Sequence, residues 1–193
     1  MAGVRKFDED SAFAEALNVF WTKGFRATSM LDLAEATGVQ RGSLYNAYGD
    51  KEEIFMRVFE RYAARFLADA RKALDKPDPR DALTAFFAFA IRSIMQGSPA
   101  RGCLSTKTAI ELDPESPRVR EALQKMIDGL EAAVLEALDT DQARQKLAIA
   151  PQQAARLIVT MTRGIAVMER VYEDPKRLKE TTAALVDTLM PKQ

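Results

Sequence analysis

An all-α chain is predicted by three features of these 193 residues. Apolar side chains recur three and four positions apart along almost the whole length, alternating β-branched runs bounded by turns are missing, and the interruptions are short glycine- or proline-bearing stretches. The first helix is expected over about residues 10–23, with Phe13, Leu17, Phe20 and Trp21 on one stripe and Gly24 as its stop. Either Thr28 or Ser29 can cap a short helix over about 30–36, because a hydroxyl there can accept from backbone N–H groups that the first turn leaves without partners. Thr37-Gly38-Val39 breaks it, and Gly38 can take the positive φ of a tight reversal. A third helix is expected over about 41–47. Asp50 opens a fourth, with Glu53 three residues on as a variant capping box, and Ile54, Val58, Tyr62, Phe66 and Leu67 carry it to about Leu74.

The prolines of Asp75-Lys-Pro-Asp-Pro79 end that helix, since each removes a donor and forces its predecessor out of the helical region. Residues 81–95 read as a helix apolar on several faces (Leu83, Phe86, Phe87, Phe89, Ile91, Ile94), which places it inside a bundle. Gly97-Ser-Pro99 interrupts, a shorter helix is expected over 102–112, and Asp113-Pro-Glu-Ser-Pro117 turns the chain, with Ser116 as cap and Pro117 at the first helical position of a helix to about Leu138. Residues 139–149 are polar, open between short helix and coil, and expected at the surface. Two last helices, over 151–171 and 176–190, part near Asp174-Pro175. Their apolar residues cover more surface than one subunit hides, which points to self-association. No internal repeat or low-complexity tract interrupts this series.

Composition narrows the function. Lysine plus arginine and aspartate plus glutamate number 28 each, so the chain has no general attraction for polyanions. The first 66 residues hold 9 basic and 10 acidic side chains, so neither half is marked by charge and any nucleic-acid contact must come from a few placed groups. There is no histidine, which removes the commonest general base, the histidine-dependent triads and most zinc sites. The single cysteine, Cys103, allows neither an internal disulfide nor a cysteine-clustered metal site, and fits a reducing cytoplasm. Glu111 and Asp113 lie close together, but without a metal partner they make weak catalytic equipment. No apolar run reaches the roughly 20 residues of a membrane span, and the charged start of the chain reads as no signal peptide. The expectation is a cytoplasmic protein with no enzyme activity, no cofactor and no metal.

Residues 29–48 combine a short helix, a glycine-bearing turn and a second short helix. This is the helix-turn-helix layout, in which the second helix enters the major groove and the first braces it. Met30, Leu33, Ala34, Val39 and Leu44 would face inward. Gln40, Arg41, Gly42, Ser43, Tyr45 and Asn46 would face out, arginine suited to guanine edges and glutamine or asparagine to adenine edges. Gly42 inside a helix costs about 1 kcal/mol relative to alanine, which a close approach of backbone to DNA would explain. Tyr45, Tyr48 and Lys51 are placed for phosphates, Lys51 beside a helix N-terminus that also favours an anion, and Thr28 and Ser29 complete the set. Arg5, Lys6, Lys23 and Arg26 are further phosphate candidates. An ordinary αα-hairpin would show the same helix spacing.

The run Phe20-Trp-Thr-Lys-Gly24 through Thr28-Ser-Met, Ala34-Glu-Ala-Thr-Gly38-Val and Leu44-Tyr-Asn-Ala-Tyr48-Gly-Asp-Lys51-Glu-Glu-Ile-Phe55 strongly resembles the DNA-binding domain of TetR-family transcriptional repressors, over about residues 7–55. It departs at Tyr48, where the family usually has phenylalanine, and at Asn46 and Ala47, where histidines are frequent. The resemblance implies a three-helix helix-turn-helix domain over residues 1–50. A helical bundle over 51–193 would bind a small apolar or aromatic effector and form a homodimer through its last two long helices. The implied function is a ligand-responsive repressor on a palindromic DNA operator; the alternative is a helical small-molecule-binding or adaptor protein that keeps the fold. Effector contacts would come from Phe86, Phe87, Phe89, Met95, Met126 and Met161, because such cavities are mostly apolar and aromatic, although each phenylalanine taken singly reads more readily as core. Arg101-Gly-Cys-Leu104 resembles a stretch in one branch of the family, so Cys103 joins the effector set, either as a thiol activated near a helix start or as a small buried hydrophobe.

Overall fold

The computed structural model describes residues 8–97, 100–112 and 116–191; Arg5 and Lys6, the 98–99 part of the glycine–proline break and Asp113 lie outside them. The described residues form α1 (Glu9–Lys23), α2 (Met30–Thr37), α3 (Arg41–Tyr48), α4 (Lys51–Leu74), α5 (Pro79–Ile94), α6 (Leu104–Ile110), α7 (Pro117–Leu138), α8 (Asp141–Lys146), α9 (Pro151–Tyr172) and α10 (Pro175–Leu189), with no strand among them. No helix among them is long and apolar enough to cross a membrane.

Local chemistry accounts for the boundaries. Ser29, not Thr28, caps α2: its hydroxyl accepts from Asp32 N–H while the Asp32 carboxylate accepts from Ser29 N–H, a reciprocal pair that satisfies two otherwise orphaned donors. Thr28 is buried and donates its hydroxyl to the Gly24 carbonyl at 2.6 Å. Asp50 caps α4 through Glu53 N–H, but the Glu53 carboxylate turns away to Arg57 and Arg118, so only half of the expected box forms. Helix α5 starts earlier than residue 81 because Asp78 accepts from both Arg80 N–H and Asp81 N–H, and Pro79, which has no N–H to orphan, sits at the first helical position. Ser116 stands at the cap of α7 without making a side-chain capping bond. Helix α6 is shorter than 102–112: Gly102 takes φ +72° and Cys103 is extended, which holds both outside the helix. The open stretch after α7 contains α8, capped by Thr140 and pinned by the buried Ala143.

One core runs through the molecule. Helices α1–α3 form a head around Phe20, Leu33 and Leu44, and α4 leaves it as a single 24-residue rod into the body formed by α5–α10. Rings pass the packing along: Phe25 to Phe55 (4.8 Å between centroids), Phe55 to Phe59 (5.4 Å), Phe59 to Tyr62 (5.9 Å), Tyr62 to Phe66 (5.9 Å) and Phe66 to Phe89 (5.2 Å). The C-terminal helix closes the body by pairing Arg80 with Asp187 and the Met190 carbonyl, and Ala148 N–H with the Leu189 carbonyl.

On α9, Glu169 is only 5 % exposed and its Oε2 has no hydrogen-bond partner among the described residues. Burial raises its pKa above the ordinary glutamate value; Arg170 opposes the shift and Glu173 adds to it. The folded chain therefore holds this proton more tightly than the unfolded chain, and stability falls as pH climbs from the ordinary glutamate value through the raised one. Thermal melts from pH 4 to 8 should show Glu169→Gln melting above the parent at the alkaline end, with the gap closing toward pH 4.

Candidate nucleic-acid interface

The turn between α2 and α3 forms because Gly38 adopts φ +65°, ψ +11°, left-handed geometry that a side chain resists, and Val39 then drops into the core. Met30, Leu33 and Leu44 are buried beneath the pair and Ala34 is half-buried at the crossing, as the inward set required. Gln40, Arg41, Gly42, Ser43, Tyr45 and Asn46 are all exposed at the start and along the outer surface of α3. Gln40 stands at the cap position with no side-chain capping bond, and the Arg41 guanidinium lies over the Tyr45 ring at 5.5 Å. A Cβ added to Gly42 would meet nothing within 4 Å, so no packing within this chain requires glycine there.

Three of the expected contact residues face inward instead. Tyr48 is buried, packs its ring at a tilt against Phe13 with centroids 5.6 Å apart and donates its hydroxyl to Glu9 Oε1 at 2.9 Å, contacts that tie α3 to α1 and turn the hydroxyl inward instead of toward phosphate. Thr28 is likewise spent within the head. Lys51 turns its ammonium into the loop after α1 and donates to the carbonyls of Phe25, Arg26 and Thr28 at 2.8–3.0 Å, which occupies all three protons. Burial holds its pKa below the ordinary lysine value, with the Glu111 charge opposing. Lys23 is paired with Asp32, whose pKa falls to about 2 through that hydrogen bond and those from Ser29. Arg26 remains exposed beside the head.

The head is sewn to the body at α6. Trp21 Nε1 donates to the Gly102 carbonyl at 3.1 Å, and Lys107 Nζ donates to the carbonyls of Trp21 (3.0 Å) and Thr22 (2.7 Å), the last two residues but one of α1. The Glu111 carboxylate accepts from Arg26 N–H at 3.3 Å and fills the space beside Gly24, where a Cβ would stand 2.0 Å from Oε1. Gly24 thus does more than stop a helix: it also makes room for this carboxylate.

The expected effector residues scatter. Phe86, Phe87 and Met126 are fully packed core, and Phe89, Met95 and Met161 are half-buried against it. Only Cys103 lines the cavity of about 550 Å³ that opens between α1, α6 and α9. Its thiol is 3.2 Å from Ser105 Oγ and accepts from Arg163 Nη1 at 3.6 Å. Burial pushes the thiol pKa up, but the Arg163 charge and hydrogen bonds from Ser105 and Thr106 carry it below the ordinary value. The remaining walls, including Trp21, Arg101, Lys107, Ile110 and Arg170, come from three distant stretches, and no local pattern in the sequence links them. Among the described residues no cluster of acids and cysteine could hold a metal ion.

Residues 13–58 match the family described as bacterial regulatory proteins, tetR family, and residues 79–185 match the tetracyclin repressor-like C-terminal domain. The chain is 31% identical over 143 residues to the HTH-type transcriptional repressor ComR of Escherichia coli, covering 73% of this chain and 68% of that one. It is 22% identical to the repressor NemR of the same organism, over 83% of each chain. Among solved structures, a cysteine mutant of the TetR-family regulator CifR complexed with 26 bp operator DNA superposes with a TM-score of 0.86 at 26% identity, covering 96% of this chain and 98% of that one. Reduced NemR superposes with a TM-score of 0.84 at 21% identity, covering 95% and 97%.

Two substitutions separate residues that hold the head together from those on its outer face. Tyr48→Phe should lower stability by about 1 kcal/mol in urea unfolding through the lost hydrogen bond to Glu9, yet leave affinity for duplex DNA within about threefold. Lys51→Met should lower stability by about 1–3 kcal/mol because three carbonyls lose their donor, with the first loss of protection in hydrogen exchange falling at residues 25–28.

Proposed function

The chain belongs to the TetR family of bacterial transcriptional regulators, and from that premise we propose that it is a ligand-responsive dimeric repressor that grips a palindromic operator with α3 of each subunit. The observation that carries the reading is the outer face of α3. Six polar or small residues stand clear of the core, and Gly42 leaves open space where a side chain would hold the DNA away. Gln40, Arg41, Ser43, Tyr45 and Asn46 supply the donors and acceptors that edge and phosphate recognition uses. The division of labour we assign is residues 1–50 for reading DNA and 51–193 for effector binding and dimerisation, with α4 belonging to both cores. The protein works in the cytoplasm and without catalysis, in keeping with its chain of helices and its lack of histidine.

Dimerisation is supported by α9. Leu157, Met168, Val171 and Tyr172 are exposed apolar residues that continue the half-buried Met161 and Gly164 at spacings of three and four, the seam of a helix meant for another helix. Nothing stands within 4 Å of a Cβ added to Gly164, which suits close approach by a second copy. On α10, Thr181, Ala184 and Thr188 form a small-residue exposed stripe beside it. A two-fold axis along these helices would present two α3 helices to successive major grooves, about 34–36 Å apart.

Gel shifts across a salt series, on a duplex selected from random sequence by the parent protein, decide the reading. Arg41→Ala should weaken selected DNA by about 1–3 kcal/mol and relax its base preference. No binding to any duplex at low salt would favour the adaptor alternative. Met168→Glu should convert a dimer into a monomer in light scattering and abolish operator binding, because a single head makes too few contacts in a chain of balanced charge.

A further inference from the structure

We propose that the cavity between α1, α6 and α9 is a binding site for a small organic anion with an apolar body, and that its occupancy moves the reading head; the second clause rests on the repressor reading above. The cavity, about 550 Å³, is of the size that ligand sites have. Its lining contains three cations, Arg101, Lys107 and Arg170, and no carboxylate. Apolar surface comes from Trp21, Ile110 and Val171. Ile110 is 76% exposed, a large value for an apolar side chain, and a ligand in this cavity would cover it.

The cations are available. Arg101 makes only a stacking contact with the Trp21 ring, at 5.5 Å, and Arg170 makes no ion pair or side-chain hydrogen bond among the described residues. Lys107 uses two of its three protons on the carbonyls at the end of α1 and keeps one. Two lining guanidiniums without an ion pair among the described residues suit a carboxylate or similar oxyanion, which accepts charge-assisted bonds from such donors. A cationic ligand would meet repulsion from these lining cations, and a neutral one would leave the guanidiniums unpaired as it displaced their water.

The position supplies the coupling. Trp21 is on the last turn and a half of α1, in the head, while Ile110 and Arg170 belong to the body. The same α6 that walls the cavity holds α1 through Lys107, with Trp21 also tied to the Gly102 carbonyl. A ligand wedged here bears directly on those bonds. It therefore favours one head orientation by whatever difference in affinity it has for the two.

Trp21 is the sole tryptophan, so its emission reports the cavity in the full-length protein. Octanoate, 1-octanol and octylammonium, optically silent and matched in chain length, form the probe series. Octanoate should change Trp21 emission saturably, binding at least about tenfold tighter than 1-octanol, and octylammonium should give no saturable change. Arg170→Glu and Arg101→Glu, both at exposed positions, should each weaken octanoate at least about tenfold and leave 1-octanol unchanged. Equal affinity for octanoate and octanol, or octanoate binding that survives both charge reversals, overturns the site. In gel shifts on the selected duplex, octanoate should release DNA from the parent and not from Arg170→Glu. Ligand-free protein that binds the duplex but ignores octanoate sinks this inference alone, whereas absence of DNA binding without any ligand sinks the repressor reading.

Discussion

Everything in this molecule depends on α4 being one uninterrupted helix whose aromatic residues belong to two cores. Phe55 packs against Phe20 and Phe25 of the head, and two turns later Tyr62 meets Trp21 on one side and Phe66 on the other, whose ring reaches Phe89 of α5. Aromatic pairs bury large areas and hold specific angles, so the head cannot shear against the body without disturbing rings in both. Its relative orientation is therefore a property of the whole fold. In the dimer proposed above, with two reading helices one DNA turn apart, that constraint would turn packing in the body into affinity for DNA.

The α6 seam adds the adjustable part. Where α4 joins the two halves by apolar packing, α6 and the residues flanking it join them by a handful of polar contacts: Lys107 to the end of α1, Gly102 to Trp21, Glu111 to the backbone beside Gly24. Directional bonds of this kind break or shift over a few tenths of an ångström, whereas a close-packed core resists. A rigid rod beside a polar seam is the arrangement in which a small ligand can tilt the head without unfolding anything.

Balanced charge gives the same picture from another side. With 28 cations against 28 anions, the chain lacks the broad field by which basic proteins hold DNA of any sequence. Two cations at the head are moreover occupied internally: Lys51 on three carbonyls and Lys23 on Asp32. On the proposed reading, contact comes from α3 and from doubling it by symmetry, so a modest change in head geometry would have a large effect on binding.

The helices and the exposed residues of α3 were legible because they are written locally. Capping residues, the Gly38 reversal and three-and-four spacing act within a few residues of where they stand, so the outward positions of Gln40, Arg41 and Asn46 and the burial of Leu33 and Leu44 follow from the chain read in order. Local chemistry also left α8 open and misplaced the starts of α5 and α6, because caps by Asp78 and the extended Cys103 depend on which of several available bonds the fold selects. Tyr48 and Lys51 show the limit more sharply. Both sit where side chains commonly meet phosphate, and only the proximity of Glu9 and of the loop carbonyls after α1, 39 and up to 26 residues away, turned them inward. The cavity lies at the far end of this scale: Trp21, Arg101, Ile110 and Arg170 share a wall only because α1, α6 and α9 converge. The sequence by itself determined the helices and the surface that α3 offers, since short-range bonding and periodicity decide those. The tertiary structure alone decided which polar groups are engaged within the chain and where the cavity opens, since that depends on long-range packing that brings distant donors and acceptors together.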